Sequence, residues 1–571
     1  MAEYQTVIRG GMVVDGTGAA PMLADVAIAD GRIAAIGPDL PGRGHQEIDA
    51  SGRLVTPGFV DIHTHYDGQA SWDQHLTPSS YHGVTTAVMG NCGVGFAPCH
   101  RTDEDREGMI RLMEGVEDIP HPVLTEGLPW AWESFPEFLD FLEDRRFDMD
   151  ILAYVPHAAL RVYVMGARGV NREPANDADI AMMCRLLGEA LDHGALGIAT
   201  SGTLLHRSSD GQAIPTFGAA QTELLALAQV LRDKGKGVFQ IVEDIGLPDA
   251  TLQNVRDIAR QSGRPVTFSL GVANEGAPNY SRLLTELAEA NAEGLVVKGQ
   301  VMPRAIGMLL GVELTLNPFY TTATYRQIAD LPLSERLQRM RQPEVRAAIL
   351  SEAPDRAPAL MLGRLVRNFR HMFQLGDVPD YEQPPERSIA GRAERAGVTP
   401  EEYAYDVLVE GESGGKLYLA MANLVDGNLD VVGEILSHPD MVLGLGDGGA
   451  HVATICDASY STYALAHWAR DRARGRKSVA DVVHRMTGAT AAIIGLTDRG
   501  ILQPGLRADI NVIDHDGLTL LAPEVHYDLP AGGRRLIQKA RGYELTMVAG
   551  EIVSRQGELT GALPGRLVRA A

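Results

Sequence analysis

Residues 54–67 read "LVTPGFVDIHTHYD". A β-rich run meets a Pro-Gly break, a second short apolar run follows, and that run ends in two histidines separated by one residue. Side chains alternate across a strand, so His63 and His65, at i and i+2, project to the same side. Two imidazoles placed this way form half of a site for a borderline cation such as zinc. An H-x-H pattern alone is weak. Its meaning depends on whether the strand beginning at Phe59 opens a repeating set, and on what faces it.

Outward from this stretch, residues 5–57 alternate short β-rich runs with Gly-containing turns, as in "TVIRGGMVVDG" and "ADVAIADGRIAAIG", the pattern of a small antiparallel sheet. The chain returns to that style near its end, in "RADINVID" and "ELTMVAGEIVSRQGEL". Between these ends, short apolar runs alternate with amphipathic helical stretches such as "DADIAMMCRLLGEALDHG". Eight strands are expected, at Phe59–Ile62, Thr85–Gly90, Ile151–Val155, Ala195–Thr200, Gly237–Ile241, Pro265–Ser269, Gly294–Val297 and Met441–Leu445. Eight βα repeats predict an α/β protein built on a (β/α)8 TIM barrel, with its chemistry where strands run into the following loops. Two connections are unusually long, residues 91–149 and residues 302–440. Long insertions at that end of a barrel serve as lids, substrate walls or subunit contacts, which leaves a homo-oligomer open.

Composition narrows the function classes. The 571 residues are 45% hydrophobic and 22% charged, ordinary for a globular enzyme. A formal charge of −23 with no Lys/Arg cluster argues against nucleic acid as a partner. Four cysteines are too few for a disulfide scaffold. The N-terminal stretch lacks the pattern of a signal peptide, and no apolar run reaches the ~18–20 residues of a membrane span. The expectation is a cytoplasmic protein with no membrane partner.

The eighth predicted strand runs into "LGLGDGGAH", residues 443–451. Asp447 lies just past the apolar run between glycines, where a carboxylate can hold a metal and accept a proton from water. Asp67 is a candidate partner for the histidine pair. Glu243 is the acidic residue nearest the end of strand five. His451 is placed to orient Asp447 or to touch substrate. Lys298, in the predicted seventh strand, reads as a substrate anchor or as a sign that the register is wrong. Arg161 suits a substrate carboxylate or a salt bridge to a barrel helix.

"VTPGFVDIHTHYD", "GDGGAH" and the closing "TGATAAIIGLTDRGILQPGLRADINVID" together resemble the amidohydrolase superfamily, over nearly the whole chain. "GVTTAVMGNCGVGFAP", "HAALR" and "DHGALGIATSG" are similar to its N-acyl-D-amino-acid deacylase branch. The resemblance implies that both β-rich ends fold together as one β-sandwich domain, residues 1–57 plus 498–571, beside a barrel over 58–497. It implies that Cys92, in "MGNCGVG", is a metal ligand, and that His157 faces the substrate and stabilises an oxyanion. It also implies one metal-binding histidine at the end of each of strands five and six. Here those strands read "GVFQIVED" and "RPVTFSLGV", with Gln240, Ser269 and Leu270 nearest the two places and no histidine.

Three readings follow. One divalent ion, zinc by the donor set, sits on His63, His65 and Asp447, completed by Cys92 or Glu243. Alternatively, Glu243 and His157, His206 or His451 rebuild a second metal site. In the third, metal binding is weak and the pocket serves non-hydrolytic chemistry or binding. The expected function is a metal-dependent hydrolase of carbon–nitrogen bonds other than peptide bonds. It would cleave a small N-acylated amino acid or related amide through a metal-activated water, with Asp447 as general base and acid. The rivals are a mononuclear metal enzyme acting on a C–C, ester or cyclic amide bond, and a metal-poor binding protein.

Overall fold

The computed structural model describes residues 3–244, 251–274, 279–355 and 365–570. Eight parallel strands form its centre: β1 (Phe59–Asp61), β2 (Val84–Met89), β3 (Asp150–Pro156), β4 (Gly197–Ser201), β5 (Val238–Val242), β6 (Val266–Leu270), β7 (Val297–Val301) and β8 (Met441–Leu443). They pair in sequential order from first to last. Backbone bonds just past the strand ends link the last strand to the first: Asp447 N donates to His63 O (3.0 Å) and His65 N to Gly448 O (2.8 Å). The two halves of the expected metal site are therefore neighbours in one hydrogen-bonded ring.

Strands covered on both faces read as unbroken apolar runs. β2 and β3 are buried along their whole length. One outer helix shows how a side-chain cap starts the turn. Asn176 and Asp179 form a capping box on the helix Asp177–Asp192, which buries Met183, Leu187 and Leu191 against the barrel. Each such side chain contributes about 1.5–3 kcal/mol through burial.

The seventh strand begins three residues later than expected and ends four later, at Val301. Gly294 is a left-handed residue (φ +91°) that ends the turn after the helix Tyr280–Ala292, so pairing begins only at Val297. The shift places Lys298 at the start of β7, away from the catalytic end. There it binds Asp440 Oδ1 (2.7 Å) and Pro439 O (3.2 Å), just before β8. Lys298 is a brace at the base of the barrel, not a substrate anchor.

The two chain ends interleave in one nine-stranded sheet. Leu54–Pro57 lies between Tyr4–Val13 and Ile510–Ile513, with Val55 opposite Val512. Ile8, Val26, Val55, Ile510, Val512 and Met547 pack into a separate apolar core. The late segment does not stay within that sheet. Leu536 N donates to Val452 O (2.6 Å) beside the barrel mouth, and Val568 N donates to Ile151 O (2.8 Å) on β3.

Among the described residues, both insertions carry regular structure. Residues 302–440 contain a three-stranded sheet of Ile306–Leu310, Leu417–Ala422 and Met372–Gln374. Its own core includes Phe319, Leu337, Met340, Tyr405 and Leu408. Residues 91–149 contribute the helix α1 (Asp103–Glu117), capped by the Thr102 side chain and three acidic residues in its first turn. That helix delivers its last residue to the barrel mouth.

Candidate metal centre

His63 and His65 leave the end of β1 on the same side, as the two-residue period requires. Their rings stand 5.6 Å apart at 66°. His63 Nδ1 lies 3.0 Å from Gln300 Oε1 on β7. An amide oxygen only accepts, so Nδ1 carries the proton and Nε2 keeps its lone pair. That Nε2 lies 3.3 Å from Cys92 Sγ and 3.4 Å from Asp447 Oδ1. His65 Nε2 is 3.6 Å from the same Asp447 oxygen, and its Nδ1 is 3.3 Å from Glu117 Oε1.

Cys92 sits in a tight turn after β2 with a left-handed backbone (φ +57°). Gln240 Oε1 on β5 accepts its N–H (3.1 Å), and Asp67 Oδ2 accepts the N–H of Gly90 (3.0 Å). Asp67 therefore braces the cysteine turn; its bond is not to the histidine pair. Gly93 is required there, because a Cβ would stand 2.8 Å from Thr200 Cα. The loop after β8 is equally constrained. Leu445, Asp447 and His451 all have positive φ (+63°, +46° and +47°), a concentration of backbone strain that marks functional loops. A Cβ on Gly448 would lie 2.5 Å from both Tyr66 Oη and Ser79 Oγ, so only glycine lets this loop approach β1.

One donor atom each from His63, His65 and Cys92 lies within 4.8 Å of the others, and all three residues are buried. Burial lowers the pKa of His63 to about 4 and of His65 to about 3, so both imidazoles are neutral, the form that ligates. Burial, then Glu117, Asp447 and Asp67, push the Cys92 thiol well above its usual value. Glu117 is likewise pushed well up by burial and then by Asp447 and Asp67, and neither of its oxygens has a hydrogen-bond partner. Neutral imidazoles, a thiol and buried carboxyls converge here. That donor set fits a divalent, borderline ion, which would stabilise the thiolate and the carboxylates together.

Other expected participants are placed elsewhere. His157 is wholly buried with both ring nitrogens engaged, Nδ1 to Thr200 Oγ1 (2.8 Å) and Nε2 to Glu223 Oε1 (2.8 Å). It has no atom left for an oxyanion. Arg161 is held by both oxygens of Glu223, and its Nη2 donates to Glu173 O (2.9 Å), so it is the helix salt bridge and not a substrate anchor. Glu243 Oε1 accepts from Asn254 Nδ2 (2.6 Å) and does not join the donor cluster. At the two places lacking histidines, Gln240 binds the Cys92 backbone and Leu270 is buried in the core.

Two histidines border the centre. His451 Nε2 lies 3.6 Å from Glu117 Oε2 with a third of its side chain exposed, and burial lowers its pKa to about 4. His206 Nδ1 lies 2.9 Å from Ser201 Oγ and is also held neutral, near 3, by burial and then by His451.

Glu117 and Gln300 were not among the candidates read from sequence. Glu117 had a signal, since it extends the stripe Met109–Met113 at i+4 spacing along the buried face of α1. A carboxylate that continues an apolar stripe is a candidate for a buried role. Gln300 lay outside the expected seventh strand and so carried none.

The amidohydrolase family model matches residues 46–554. Over 569 residues the chain is 27% identical to D-aminoacylase of Alcaligenes xylosoxydans xylosoxydans, covering 99% of this chain and 97% of that protein. An uncharacterized protein of Mycobacterium tuberculosis is 28% identical over 600 residues, covering 98% of this chain and 93% of its own length. Among solved structures, a D-aminoacylase described as defining a novel subset of amidohydrolases superposes with a TM-score of 0.65 at 25% identity, over 99% of both chains. Barrel, histidine pair and carboxylate thus agree with the family match: the chain belongs to the amidohydrolase family.

Proposed function

We propose that this protein is a metal-dependent hydrolase that cleaves the C–N amide bond of a small N-acylated amino acid or related amide. The observation that carries the reading is the convergence of His63, His65 and Cys92 with Asp447 Oδ1, 3.4 and 3.6 Å from the two Nε2 atoms. Similarity along nearly the whole length to D-aminoacylase supports the substrate class. His63, His65, Cys92 and Asp447 would hold one ion, and His plus Cys donors favour zinc. When bound, the ion lowers the pKa of a coordinated water toward neutrality and polarises the substrate carbonyl.

Asp447 does the proton work. It is 22% exposed on its side chain, whereas His63, His65 and Glu117 are nearly inaccessible, so it is the carboxylate at the centre that reaches an entering substrate. It accepts the proton of the attacking water and returns it to the leaving nitrogen. Gln300 keeps His63 in the tautomer that leaves Nε2 free. His451 and His206, both neutral, are placed to donate to or accept from the amide. Gln240 and Leu270 supply no ligand of their own from strands five and six, which supports one ion over two.

All four cysteines are unpaired, in keeping with a reducing cytoplasm. Among the described residues, no helix is long and apolar enough to cross a membrane.

The test is amine release from a panel of N-acyl-D- and N-acyl-L-amino acids by zinc-loaded and chelator-stripped protein. Zinc-dependent release from at least one substrate is expected. Metal-dependent turnover confined to esters or cyclic amides would replace this reading with its rival.

A further inference from the structure

The last residue of α1, Glu117, comes from the first insertion and not from a barrel strand. Its carboxylate is about 1% exposed, and neither oxygen has a hydrogen-bond partner. The groups facing it are imidazoles: His65 Nδ1 at 3.3 Å from Oε1 and His451 Nε2 at 3.6 Å from Oε2. Its backbone carbonyl also accepts the N–H of His451, so one residue grips the loop after Asp447 by main chain and side chain. A carboxylate buried without a partner is strongly unfavourable, so its position needs a reason. With strands five and six lacking histidines, the orientation of the two that remain on β1 matters more.

Resting on the metal-centre reading above, we infer that Glu117 is a positioning residue that sets two histidines to different tasks. With the ion bound, Glu117 would accept the Nδ1–H of His65, 3.3 Å away, which leaves the Nε2 lone pair toward Cys92, His63 and Asp447. A carboxylate behind a ligating histidine fixes its tautomer and raises its basicity. Its second oxygen holds His451 outside the ligand set, at the open side of the mouth. Gln300 already accepts from His63 Nδ1, and Glu117 Oε1, 3.3 Å from His65 Nδ1, is the group placed to do the same for His65.

The test compares wild type, E117Q, E117D and H451A by zinc competition against a chelator and by the visible spectrum of the cobalt-loaded proteins. E117Q is expected to bind zinc about 10–100-fold more weakly, with an altered cobalt spectrum and with an apo melting curve still cooperative. E117D, which keeps the acceptor on a shorter arm, recovers part of that affinity. H451A keeps zinc affinity within about twofold and lowers kcat. Zinc affinity in E117Q within about twofold of wild type, with an unchanged cobalt spectrum, overturns the inference alone. Failure of wild type to bind zinc removes the metal centre itself. Should E117Q not fold, zinc-loaded wild-type crystals decide the matter. His65 ligating through Nε2, with Nδ1 on Glu117, is expected; ligation through Nδ1, or by Glu117 itself, contradicts it.

Discussion

Replacing Gln300 by leucine separates a role in metal binding from a role in folding. Gln300 is fully buried, its Oε1 accepts from His63 Nδ1 at 3.0 Å, and its Nε2 has no partner. Leucine is close in volume. In the metal-free protein the change removes one hydrogen bond, worth about 1 kcal/mol, and also removes an orphaned amide nitrogen that costs about 1–3 kcal/mol. His63 Nδ1 is left unpaired in either tautomer, a penalty of similar size, so net stability should change by less than about 2 kcal/mol. The metal-bound state fares worse. Without Gln300 the His63 proton is free to sit on Nε2, where Cys92 Sγ (3.3 Å) and Asp447 Oδ1 (3.4 Å) can accept it. The ligating atom is then blocked, and affinity should fall about 10–100-fold, or about 1.4–2.8 kcal/mol. Chelator competition reads the affinity and chemical denaturation of the apo protein reads the stability. Affinity within twofold of wild type would refute the tautomer argument; a large loss of apo stability with normal affinity would recast Gln300 as a packing residue.

Asp447→Asn should fold and retain part of the metal affinity, while kcat falls about 10²–10⁴-fold; full turnover would exclude Asp447 as the proton carrier. Because the Cys92 thiol is held well above its usual pKa, it is protonated at neutral pH and must release its proton on metal binding. Apparent zinc affinity should therefore rise by at least about tenfold per pH unit between pH 6 and 8, with the slope reduced by one proton in Cys92→Ala; calorimetry in buffers of different ionisation enthalpy measures it. Asp457→Ala should destabilise the protein by about 3–5 kcal/mol, since it strands Arg304, which is 1% exposed, binds Asp457 Oδ1 at 2.7 Å and stacks on Tyr381. A shift in the denaturation midpoint equivalent to less than 1 kcal/mol would show that Tyr381 alone supports the guanidinium.

Much of the architecture was legible because the barrel repeats itself. The βα units carry a shared signature, a short apolar run followed by an amphipathic helix, so errors of one to four residues at strand ends did not alter the count. The convergence of His63, His65 and Asp447 was legible because strand ends meet at the mouth of a barrel, and the glycines around Asp447 marked a close approach. Residues that act by acceptance were harder to see. A histidine at a strand end looks the same whether it faces substrate or, like His157, is pinned between Thr200 and Glu223. Arg161 is recruited by the same Glu223, a helix residue more than sixty positions away whose pairing no local pattern announces. Lys298 and Gln300 exchanged significance because the seventh strand lies three to four residues later than expected. Glu117 reaches the centre only because an insertion folds back over the mouth, a tertiary event to which strand periodicity is blind.

The central claim is that one divalent ion is held between the end of β1, the Cys92 turn and the loop after β8. An anomalous-difference map from zinc-loaded crystals, collected on both sides of the zinc edge, tests it most directly. A single peak per chain within bonding distance of His63, His65, Cys92 and Asp447 is the expected result. No peak there, or a peak coordinated through Glu243 and His157, would contradict the account.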